Sequence, residues 1–226
     1  MRNILFIINN ILLRFKRNRK IKLKDITKIN VGCGMTVQKG WSNIDGSLNA
    51  LVSKLPKFII LIAYSLTGAR KSFTKSEYFE ILSNNIFVHH DLRYGLPFNE
   101  SKVSHIYTSH FLEHLYPEEA NLLLRDAYKV LQKEGVIRIS VPDLEYAISL
   151  YPHNKVDMLK KYFFINDESN TFSNHKYMYD FNSLSSLLYE IGFQKVVKGE
   201  YCSGDFPDID SLDNRGTDSL FVEATK

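Results

Sequence analysis

Gly32 and Gly34, followed a short way on by Asp45, are the residues whose types and spacing first suggest chemistry. They sit in KINVGCGMTVQKGWSNID, residues 28–45, which reads as a short apolar strand running into a glycine loop with a carboxylate beyond it. Without side chains at 32 and 34 a ligand can approach the backbone at the carboxyl end of the strand, and Asp45 can accept both hydroxyls of a ribose. A glycine pair after a strand also serves as a plain tight turn, so the wider spacing has to discriminate.

A dinucleotide fingerprint needs a third small residue three positions after Gly34, where Val37 stands. It also puts its ribose carboxylate about 20 residues on, after a complete crossover helix, and Asp45 comes too early for one. The loop therefore lacks a pyrophosphate cradle but keeps a ribose hook. That combination disfavours a nicotinamide oxidoreductase and suits S-adenosyl-L-methionine, the common nucleoside cofactor without a pyrophosphate. Cys33 fits as a small residue where backbone meets ligand, and no basic partner marks it as a nucleophile.

A second group is H-x-x-E-H, formed by His110, Glu113 and His114 directly after an apolar run. A helix starting there would set all three on one face, as in an inverted zinc protease, and the three are good ligands for a divalent metal. A zinc hydrolase leaves the glycine loop unexplained. Methylation of a hydroxyl requires a proton acceptor, and His110 is the first candidate base, with His114 and His175 behind it; each also has a structural reading. In NHKYMYD, residues 174–180, His175 stands with Tyr177 and Tyr179, whose rings would suit a sugar. Lys176, Asp213 and Arg215 would either meet a charged acceptor or serve as surface charges.

The elements that must position these groups alternate between strand and helix. Strands are expected at 28–31, 42–44, 86–90, 105–109 and 136–141, with a helix at 117–132 between the last two, started by Pro117 and ended before Gly135. A further helix is expected at 181–192, then strands at 194–198 and 220–224 with no helix-period segment between them. The class is α/β, a mainly parallel sheet covered by helices on both faces and ending in an antiparallel hairpin. Gly32, Asp45, Asp91 and Ser109 then converge on one sheet edge, where Asp91 can accept from an adenine amino group while Leu92 flanks the ring.

In this order the sequence resembles the class I S-adenosylmethionine-dependent methyltransferases, and in particular the small group found with bacterial surface-polysaccharide biosynthesis genes. The likeness rests on VGCG at 31–34, GWSNID at 40–45, HHDLRYGLPF at 89–98, YTSHFLEHL at 107–115, LLLRDAYKVLQKEGVIRISVPD at 122–143 and SLFVEATK at 219–226. The resemblance implies a Rossmann-like fold that binds S-adenosyl-L-methionine at Val31, Gly32, Cys33, Gly34, Asp45, Asp91, Leu92 and Ser109. It implies O-methylation of a sugar or glycan precursor, with a non-catalytic cofactor-binding partner as the alternative. Many such enzymes carry a similar L-E-H without a metal, so none is expected here. Ser104 and Asn30 replace acidic residues that the group often has, and residues 50–85 form a longer insertion than it usually shows.

The length of 226 residues is ample for one domain. The net charge of +4 is misleading as an average, because residues 1–28 hold nine Lys or Arg against Asp25 alone. The remainder is mildly acidic, which disfavours nucleic acid as a partner. Two distant cysteines fit a reducing cytoplasm. Residues 1–24 read as a basic amphipathic segment preceding a domain at 25–226, with Ile4, Leu5, Ile8, Ile11, Leu12 and Phe15 on its apolar side. It is too short and too interrupted by Asn9 and Asn10 to span a bilayer, and no cleavage site marks a signal peptide. It lies either on the inner face of the membrane or against protein.

Overall fold

Short β-branched runs bounded by turns form the sheet that carries the glycine loop. The computed structural model describes residues 2–22, 27–99, 102–163 and 174–226. Strands β1 (Lys28–Val31), β2 (Ser42–Asp45), β3 (Ile86–His89), β4 (Val103–Ser109) and β5 (Leu131–Pro142) pair parallel. The last two, β6 (Lys195–Gly199) and β7 (Ser219–Thr225), form an antiparallel pair, and β7 joins it to β5. The order is β3-β2-β1-β4-β5-β7-β6, the mainly parallel sheet with a terminal antiparallel hairpin that the sequence pattern predicts. Strand order reverses between β1 and β4, and ligands of open α/β sheets bind beyond the carboxyl ends of strands at such a point.

Burial explains why the central strands read as apolar runs. Ile29, Val31, Ile106, Ile137 and Ile139 pack with Leu123, Leu124 and Ala127 of α5 (Pro117–Val130) and with Leu184 and Leu188 of α8 (Phe181–Ile191). α5 ends earlier than expected, and β5 begins at once, with Leu131 opposite Val103 across a register shift. The segment expected to be an insertion folds into α2 (Leu48–Val52), α3 (Lys57–Leu66) and α4 (Lys75–Asn84). Its Ala50, Ile60, Ala63, Tyr78 and Leu82 form a second core with Phe87 and Cys33, against which Val37 packs. The residue that breaks the dinucleotide fingerprint thus serves packing. Between α5 and α8 come α6 (Leu144–Ser149) and α7 (Tyr151–Met158), and α9 (Ile209–Leu212) adds one turn before β7.

Helix α1 (Arg2–Lys16) docks by an unexpected side. Asn9 and Leu13 face the domain, whereas Ile7, Ile8, Ile11 and Phe15 are exposed. The amide of Asn9 donates to the Gly46 carbonyl over 2.9 Å and its oxygen meets His89 Nε2 at 3.0 Å, so a polar contact chose the face. Among the described residues, no helix is long and apolar enough to cross a membrane.

Candidate active site

The loop after β1 is built for close approach. Gly32 and Gly34 have φ of +68° and +53°, in the left-handed region that L side chains avoid. A Cβ on Gly32 would overlap the Phe111 ring, while the space beside Gly34 is open. The N–H groups of Gly32 and Cys33 donate to the Ile44 carbonyl over 2.9 and 3.2 Å, and that of Gly34 to Asp45 Oδ2 over 2.9 Å. Asn30 donates to the Thr36 carbonyl over 2.9 Å and to Asn43 Oδ1 over 3.1 Å. Residues 32–41 are therefore a turn network, with no helix between β1 and β2. Val31 contributes only main chain to the edge, since its side chain lies in the core. The Cys33 thiol is buried, and burial followed by nearby Asp45 pushes its pKa well up, which suits an inert packing residue.

Asp91 ends β3 as expected, but its oxygens are engaged. Arg93 donates to it through Nε at 2.9 Å and Nη2 at 2.6 Å, and the Arg93 N–H adds a bond of 3.2 Å. The hydrogen bonds that Arg93 donates to Asp91 raise its pKa. An adenine amino group would have to share this carboxylate with the guanidinium. Leu92 differs more plainly: its side chain is buried in the main core and cannot flank an adenine ring. Arg93 escaped the sequence reading because it pairs two residues from its partner, a spacing without a periodic signature.

Beyond β4 the chain turns sharply, with Ser109 opposite Ser140 and His110 at φ +48°. Residues Leu112–His114 then form one 3-10 turn, so the expected helical face of H-x-x-E-H does not form. Convergence comes about differently. Glu113 Oε1 lies 3.6 Å from His110 Nδ1 and 3.7 Å from His114 Nε2, and the His114 and His175 rings are 5.2 Å apart. The three candidate histidines thus meet around one carboxylate. His110 Nε2 pairs with Ser219 Oγ at 2.8 Å, and Arg215 Nη1 approaches Nδ1 at 3.4 Å. Burial lowers the His175 pKa, against the raising effect of Glu113. Phe111, between His110 and Glu113, carries this turn against the glycine loop.

The expected acceptor residues fare unevenly. Tyr177 is exposed and meets Tyr179 edge-on at 4.9 Å, but Tyr179 is buried. Asp213 is buried and bound to Arg138 rather than open to an acceptor. Arg215, by contrast, does stand beside His110.

Neither a protein-family model nor a curated protein sequence matches the chain. Solved structures do. A SAM-dependent methyltransferase from Archaeoglobus fulgidus superposes with a TM-score of 0.52 at 17% identity, over 100% of this chain and 95% of that one. The S-adenosylmethionine-dependent methyltransferase SibL, in its apo form, gives a TM-score of 0.51 at 17% identity over 96% of this chain, which spans 54% of SibL. With its strand order and terminal antiparallel pair, the chain has the Rossmann-like fold of the class I S-adenosylmethionine-dependent methyltransferases.

Proposed function

We propose that this chain transfers the methyl group of S-adenosyl-L-methionine to a hydroxyl oxygen of a sugar or glycan precursor. One observation carries the reading: an open glycine loop braced on Asp45 and three histidines around Glu113 stand at adjacent strand ends of one sheet edge. The residues suit the cofactor, because Gly34 leaves room at the loop and the Asp45 carboxylate keeps lone pairs for a ribose. When bound, S-adenosylmethionine supplies a methyl group already activated by its sulfonium. The protein's share is then positioning, exclusion of water and removal of the hydroxyl proton. His110 is the candidate base. With Nε2–H donated to Ser219 Oγ, Nδ1 carries the ring's lone pair; Arg215 Nη1 stands 3.4 Å from it and Glu113 Oε1 3.6 Å, so an acceptor hydroxyl has to take the place of the Arg215 contact.

Calorimetry with S-adenosylmethionine and its demethylated product tests the cofactor, and transfer of labelled methyl to a panel of sugar hydroxyls tests the reaction. His110→Ala should keep cofactor affinity and lose about 100-fold or more in turnover. Cofactor binding without turnover on any acceptor would favour a non-catalytic partner role instead. Absence of cofactor binding would reject both.

The place of work we propose is an anionic membrane surface, contacted through α1. Ile7, Ile8, Ile11 and Phe15 point outward, with Phe15 83% exposed, and residues 1–24 hold eight basic side chains and no acidic one. Each basic residue near an anionic surface contributes about 1 kcal/mol, and the exposed apolar side chains add burial at the headgroup boundary. The doubly substituted Ile11→Asp, Phe15→Asp chain should stay folded and stop sedimenting with phosphatidylserine vesicles. Equal sedimentation of both proteins would remove the membrane from the proposal.

A further inference from the structure

A carboxylate is buried without a partner where the imidazoles meet. Glu113 is 1% exposed, and neither of its side-chain oxygens has a hydrogen-bond partner. Such a group costs free energy unless something positive completes it. The nearest imidazole nitrogens, at 3.6 and 3.7 Å, are too far to do so as hydrogen-bond donors.

The tautomers point the same way. His114 Nδ1 lies 3.3 Å from the Asn174 carbonyl oxygen, and His175 Nδ1 lies 2.8 Å from that of Tyr162. A carbonyl can only accept, so each ring carries its proton on Nδ1 and, when neutral, a bare lone pair on Nε2. Metal-bound imidazoles are held in this way, with the second nitrogen donated to a carbonyl. The backbone also fixes the set. The N–H groups of Lys176 and Tyr177 donate to the Glu113 carbonyl over 2.7 and 3.2 Å, which holds the His175 segment against the 3-10 turn.

We propose that Glu113, His114 and His175 bind a divalent transition cation of the zinc type. Their donor atoms lie within 4.8 Å of one another. Bonds of about 2.1 Å in a tetrahedral site place neighbouring donors about 3.4 Å apart, so the donor atoms have to close by up to about 1.4 Å. Two imidazoles and one carboxylate leave coordination positions open, the pattern of reactive rather than structural sites. This departs from the reading of H-x-x-E-H as metal-free: the motif pairs His110 with Glu113 and His114, whereas the fold substitutes His175. On the methyl-transfer reading, on which this last point alone rests, the cation favours the ionised form of an acceptor hydroxyl whose proton passes to His110.

The test uses the full chain without a histidine tag, stripped with a chelator and titrated with zinc chloride, with bound metal counted by elemental analysis after gel filtration. One equivalent of zinc is expected, with no comparable binding of magnesium, which prefers oxygen ligands. Glu113→Gln and His175→Ala should each weaken zinc binding by about 100-fold or more, while His110→Ala keeps the stoichiometry. Should Glu113→Gln fail to fold, His175→Ala carries the comparison, since His175 is only partly buried. Less than about one tenth of an equivalent in the folded parent, or equal binding by parent and variants, overturns the site. Cofactor affinity measured on the same preparations keeps the two readings apart, because zinc binding stands or falls without it.

Discussion

Asp45 accepts the Gly34 N–H over 2.9 Å through one carboxylate oxygen and the Ser47 N–H over 2.7 Å through the other. The group proposed to hold the ribose thus also sets the shape of the loop that faces it, so binding meets a partly ordered site. Removing it loses the charge-assisted ribose bonds and the brace together. Asp45→Ala should therefore weaken S-adenosylmethionine binding by about 2 kcal/mol, near 30-fold, as read by calorimetry. Unchanged affinity would exclude Asp45 from the cofactor site.

The strands and the glycine loop were legible because their determinants are local: β-branched runs, turn residues and a carboxylate at short range. What stayed hidden depended on distant partners. The H-x-x-E-H motif reads as a helix face until His110 adopts a left-handed backbone, and His175 joins Glu113 only through main-chain bonds from residues far along the chain. The period of α1 was clear, but its docking side was set by the fit of Asn9 between Gly46 and His89. Asp213 read as an acceptor contact or a surface charge for the same reason, since nothing near it in sequence announces Arg138.

Arg138 is fully buried on β5 and donates to Asp213 at 2.6 and 3.2 Å, to Glu223 at 2.5 Å and to the Glu200 carbonyl at 2.7 Å. It ties β5 and β7 to the segment after β6. Removing Asp213 leaves the buried guanidinium with Glu223 as its one carboxylate, and breaking a buried pair costs up to about 3–5 kcal/mol. Asp213→Ala should lower the urea midpoint accordingly. The double replacement Arg138→Met, Asp213→Leu should recover part of that loss, because the buried guanidinium goes with its partner and the carboxylate left over, Glu223, is partly exposed. A single-variant loss below about 1 kcal/mol would mean that water reaches the network.

His89 joins α1 to the end of β3, and its protonation should loosen that joint. Lys16 Nζ lies 2.9 Å from His89 Nδ1, and an ammonium group can only donate, so Nδ1 accepts and the Nε2–H goes to Asn9 Oδ1. Burial first, then the Lys16 charge, lowers the His89 pKa to about 4. An unfolded chain takes up this proton near the ordinary value of about 6.5. The folded state is thus fully favoured above that pH, loses stability as pH falls from about 6.5 to about 4, and loses no more from this group below it. Protonated Nδ1 would confront the Lys16 ammonium, so the loss should show first as faster hydrogen exchange across residues 9–16 at pH 4.5 than at pH 7, after correction for intrinsic rates. His89→Gln should flatten this dependence. Burial also lowers the pKa values of His90, His105 and His175; His90 is coupled to His89 by charge, so the difference between parent and variant reports His89 together with that coupling. Parallel exchange profiles for parent and variant would show that His89 does not govern the docking of α1.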